Sequence, residues 1–68
     1  MIRDKESIRL IISTIIENAD AVKAGDQNEV TQGELIAYTD VLDIIRLVLT
    51  GEDLASLGLD FIPEARYL

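Results

Sequence analysis

Nearly every side chain of this protein that could do chemistry is a carboxylate. The chain carries thirteen Asp and Glu against six Lys and Arg, a formal charge of −7, with no His, Cys or Trp. Lacking His and Cys, it can build no disulfide scaffold, no thiolate or imidazole metal site, no Cys–His or Ser–His nucleophile and no imidazole pH switch. What remains is the work paired carboxyl groups can do. Asp40 and Asp43 lie one helical turn apart, as do Glu17 and Asp20. General acid–base catalysis needs a carboxyl in a partly desolvated cleft, where its pKa moves toward working pH. These four fall instead on polar stripes beside Arg46 and Lys23. They read as surface charge support, and as a candidate acidic face for a basic partner.

Metal binding fails on the same inventory. Di-iron helical bundles need inward Glu-x-x-His pairs, and the acidic residues of this chain project outward. A calcium loop starting at Asp26 has Val30 at its fifth position and Ala37 at its twelfth, where a bidentate Glu is required. Starting at Asp20 places Gly25 correctly at the sixth position but puts Val22 and Ala24 at ligand positions. The arginines Arg3, Arg9, Arg46 and Arg66 are far apart, and Gly25, Gly33, Gly51 and Gly58 read as helix punctuation, so no phosphate loop is present. The chain is expected to be no enzyme and to need no cofactor.

The elements that would position these residues are helices. Ile8, Ile11, Ile12, Ile15, Ile16, Ala19 and Val22 recur at three- and four-residue spacing and fill an arc about 140° wide at about 100° per residue. This predicts a first helix over about 5–24, with Asp4 as N-cap and Gly25 as the C′ residue that stops it. Leu10 points away from the apolar arc. Asn18 lies at its edge, where a polar side chain can fix register. Residues 26–30 form a short polar connection to an antiparallel neighbour.

The string Thr31-Gln32-Gly33-Glu34 has the form of a capping box, with Val30 and Leu35 at the positions of a hydrophobic staple. It predicts a second helix over about 32–50, with Gly51 beyond its end. Leu35, Tyr38, Leu42, Ile45 and Leu49 make the seam toward the first helix. Val41, Ile44 and Val48 extend the apolar surface, and Ile36 and Leu47 lie further round. Only a strip through Thr39, Asp40, Asp43 and Arg46 stays polar. A helix apolar over so much of its circumference needs more than one neighbour. Leu54 and Leu57 predict a short third helix over about 52–57, stopped by Gly58. A tail over 58–68 follows, in which Pro63 opens one last turn through Arg66.

The expected fold is therefore all-α, a single domain. It is an antiparallel two-helix hairpin with a short third helix and a C-terminal tail, two copies of which close a four-helix bundle as a homodimer. The expected interface is Ile36, Val41, Ile44, Leu47 and Val48. The acidic partner face is Glu17, Asp20, Asp40 and Asp43. No uncharged stretch is long enough to span a bilayer. Asp4 and Glu6 sit where a secretory signal needs basic charge, so a cytoplasmic location is expected. The acidic surface repels phosphate backbones, which disfavours direct nucleic-acid binding. The function expected is a small, acidic, non-enzymatic protein–protein interaction module, regulatory or accessory in role. The alternative is an inhibitor that mimics nucleic acid, its carboxylates occupying the groove of a basic nucleic-acid-binding protein.

Overall fold

The computed structural model describes residues 4–68. Arg3, counted above among the candidate cations, lies outside them. The architecture is two long helices packed on one another, α1 (Lys5–Ala24) and α2 (Glu29–Val48), with a short α3 (Pro63–Tyr67) that packs on α2 and also touches α1. There is no strand among the described residues.

The start of α1 is fixed by Asp4. Its carboxylate accepts the Ser7 backbone N–H at 2.8 Å and the Ser7 hydroxyl at 2.7 Å. These donors favour the charged form and hold the Asp4 pKa below its ordinary value. At the other end Gly25 is the C-cap itself, with φ −87, and takes no left-handed conformation. The orphan carbonyls there are met by Gln27 Nε2, which donates to Lys23 O at 2.8 Å and to Gly25 O at 3.0 Å.

The capping box that opens α2 is not the one the Thr31–Glu34 string predicts. Asn28 is the N-cap. Its side-chain oxygen accepts from Val30 N–H at 2.9 Å and Thr31 N–H at 3.0 Å, and Thr31 Oγ1 accepts from Asn28 N–H at 2.8 Å. Thr31 is thus the third helical residue. Asn is at least as good a cap as Thr, and the earlier start adds nearly a full turn. Val30 falls inside the helix at 71% exposure, so no staple to Leu35 forms.

No helix forms over 52–57. The segment makes one turn, with Gly58 N–H bonded to Ala55 O at 3.1 Å and Leu59 N–H to Leu54 O at 2.8 Å. This bond pair is a Schellman closure, and it requires the left-handed φ of +79 that Gly58 supplies. A segment so short gains too few hydrogen bonds to offset helix nucleation. The last turn opens at Pro63 as expected and runs one residue further, to Tyr67.

The core runs between the helices and under the tail. Ile12 and Ala19 of α1, Leu35 and Leu42 of α2, and Leu57, Leu59 and Tyr67 of the C-terminal segment are all buried. Packing of the tail overturns one expectation about α2. Thr39, placed by sequence on a solvated strip, is 1% exposed, and Asp43 and Arg46 are half-buried. The short α3 packs on α2, and its Glu64 meets Asp43 of that strip, while Asp40 stays exposed.

Candidate functional site

Two sides of the hairpin contrast sharply. On one, the tail is fastened by side chains distant in sequence. Tyr67 Oη donates to Asp20 Oδ1 at 2.8 Å, and Arg66 donates to the same carboxylate through Nη2 at 2.8 Å and Nε at 3.3 Å. Lys23 Nζ donates to Tyr67 O at 3.3 Å, and Arg9 Nε to Ser56 O at 3.0 Å. The Arg66 guanidinium also lies over the Phe61 ring, 4.6 Å from its centroid. Burial, then the hydrogen bond and charge of Asp20, push the Tyr67 hydroxyl up to about 12.

Asp43 meets Glu64 of α3 on this side. A shared hydrogen bond, then desolvation and the Glu64 charge, raise the Asp43 pKa, while the same bond lowers that of Glu64. Among the described residues, Thr39 Oγ1 and Arg46 Nε are buried without a hydrogen-bond partner.

The opposite side is open. A groove of about 230 Å³ runs between α1 and α2, lined by Ile8, Ile11 and Ile12 from α1 and by Ile44, Ile45, Val48 and Leu49 from α2. No polar or charged side chain and no tail residue is among its described walls. Ile11 is 42% exposed, Ile44 59% and Val48 74%. Val41, also exposed, precedes Ile44 and Ile45 by one turn and so lies on the same face.

The expected interface residues do not share one place. Ile44 and Val48 line the open groove, and Val41 lies one turn before Ile44 on the same face. Ile36 lies by a separate hollow next to Lys23, Tyr67 and Leu68, and Leu47 is exposed but lines neither hollow. Ile8 and Ile11, which supply the second wall, are absent from the sequence-derived interface. Their signal was the width of the α1 arc, greater than one neighbour requires.

The expected acidic face does not assemble as one free surface. Asp20 is held by Arg66 and Tyr67, and Asp43 faces Glu64. Only Glu17 and Asp40 of the four are exposed and outside these contacts. Nor do three or more carboxylates converge anywhere among the described residues in a way that could hold a metal ion. No helix among them is long and apolar enough to cross a membrane. No protein family, curated protein or solved structure matches the chain.

Proposed function

We propose that this protein is a non-enzymatic interaction module that works by burying the open α1–α2 face against other helices. The observation that carries the reading is a groove with apolar walls that the tail, fastened to the other side of the hairpin, leaves uncovered. Two hairpins closing a four-helix bundle is the form we propose for this burial. The groove is below the about 300–1,000 Å³ usual for small-molecule sites, and its walls hold no group that could transfer a proton or bind a phosphate. The module acts in the cytoplasm, without a cofactor and without contacting nucleic acid or membrane directly. The acids still free on its surface, Glu17 and Asp40, favour partners that are neutral or basic at their rims. The engagement of Asp20 and Asp43 within the fold speaks against nucleic-acid mimicry, which needs free carboxylates at regular spacing.

Ile44→Asp tests the reading. The site is 59% exposed in the single chain, so the folded hairpin tolerates the charge, whereas a buried apolar contact does not. The wild-type chain is expected either to associate or, when dilute, to bind an apolar fluorescent probe. The variant is expected to keep its helical signal and do neither. A wild-type chain that is monomeric and binds no probe would overturn the proposal.

A further inference from the structure

We propose that the hollow beside Lys23 and Tyr67 binds a small monocarboxylate with a short aliphatic body, its carboxylate held by Lys23 and Gln32 and its chain laid against Leu35 and Ile36. The hollow shares no lining residue with the α1–α2 groove, so its ligand is independent of whatever covers the groove.

Three elements build it. Lys23 comes from the last turn of α1, Gln32, Leu35 and Ile36 from α2, and Tyr67 from α3. Its volume is about 340 Å³, within the about 300–1,000 Å³ usual for small-molecule sites. Two of its walls are fixed by the core, since Leu35 and Tyr67 are 2% and 1% exposed and close packing holds such side chains in place. Gln27 fixes the end of α1 next to them, its Nε2 donating to Lys23 O at 2.8 Å and Gly25 O at 3.0 Å.

The lining selects the ligand. The chain carries thirteen acidic residues, yet no acidic side chain lines this hollow. The Lys23 ammonium has three protons to donate. One goes to Tyr67 O at 3.3 Å, longer than the about 2.7–3.2 Å of a good N–H···O bond. No carboxylate among the described residues forms an ion pair with Lys23. Low-dielectric walls strengthen the attraction of such a cation for an anion. The exposed Gln32 carboxamide adds a neutral donor. One ammonium and one amide match the two oxygens of a carboxylate, whereas a phosphate dianion needs a second cation that the hollow lacks. Ile36 and Leu68 stand at its rim, 51% and 63% exposed. An aliphatic chain laid over them removes apolar surface from water, which an acetate ion is too small to do.

The experiment is a titration of the isotope-labelled full chain at neutral pH with hexanoate, and with hexanol and acetate as controls. It is read from the side-chain amide signal of Gln32 and the backbone amide signals of Ile36 and Leu68. Hexanoate is expected to shift all three to saturation at millimolar concentration, while hexanol and acetate give no saturating shift there. Lys23→Met is expected to weaken hexanoate at least about tenfold, as loss of a charged hydrogen bond does. Gln32→Ala, which touches neither the tail nor the Asn28 cap, is expected to weaken it about fivefold. Hexanoate shifts that do not saturate overturn the proposal, as does equal saturation by hexanol or by acetate. An affinity unchanged in Lys23→Met or in Gln32→Ala overturns it as well.

Discussion

Tyr67 anchors the tail, and its hydroxyl converts that anchoring into a pH dependence. The side chain is 1% exposed, and its hydroxyl donates to Asp20 Oδ1 at 2.8 Å. Burial first, then the hydrogen bond and the Asp20 charge, raise its pKa from 10.0 to about 12. The folded state therefore holds the phenol proton more tightly than the unfolded chain. The stability linked to it is fully present below about pH 10 and is lost as pH rises from there to about 12. At about 1.4 kcal/mol per pH unit the shift corresponds to about 3 kcal/mol. The Asp20 side chain is 44% exposed, so solvent screening reduces the expected effect to about 1–2 kcal/mol. The assay is urea unfolding of wild type and Tyr67→Phe, followed by circular dichroism, at steps from neutral pH to about pH 12. The wild type is expected to lead by a constant margin up to about pH 10. That margin should then fall by about 1–2 kcal/mol across the next two units. A margin that stays constant through the window would refute the anchoring of the tail by this hydroxyl.

Asn28→Ala is expected to cost about 1 kcal/mol by removing the N-cap of α2, while Glu34→Ala changes stability by less than about 0.5 kcal/mol; thermal melts of the two variants check the order, and the reverse order would place the helix start at Thr31. Thr39→Val removes a buried hydroxyl that has no hydrogen-bond partner and keeps the side-chain shape. It is expected to stabilise the fold by about 1 kcal/mol and raise the melting temperature by about 5 °C, whereas a drop would show that the hydroxyl is bonded in solution.

Features set by local pattern were legible in the sequence. The α1 span follows from the Asp4 cap, the isoleucine spacing and Gly25. The second long helix follows from its own seam, and so does the excess of apolar surface on it. The start of α2 was misread because two capping strings overlap. Asn28-x-x-Thr31 and Thr31-x-x-Glu34 share a residue, and the earlier one captures the helix. The leucines at 54 and 57 imitate helical spacing, yet they sit in a segment closed by a single turn. Hydropathy gave the wrong environment for Thr39 and Asp43, since it assumes that polar residues face water. Here Thr39 is buried, and Asp43 meets Glu64 of the tail. The bond that fastens this tail joins residues 47 positions apart, beyond the reach of any periodicity. Ile8 and Ile11 became part of the groove only once α2 was laid beside them.

The central claim is that the open groove is covered in solution, and isoleucine methyl groups report on this within one residue type. Ile11 and Ile44 line the groove, at 42% and 59% exposure in the single chain; Ile36 and Ile62, at 51% and 59%, lie outside it, and Ile12, at 1%, is a buried reference. Relaxation of these methyl signals by a soluble paramagnetic agent measures how far each is open to solvent. At millimolar protein the account predicts that Ile11 and Ile44 are protected toward the level of Ile12 while Ile36 and Ile62 relax fast, with the protection lost in Leu47-intact chains carrying Val48→Asp. Relaxation of Ile11 and Ile44 as fast as that of Ile36 and Ile62 would contradict it.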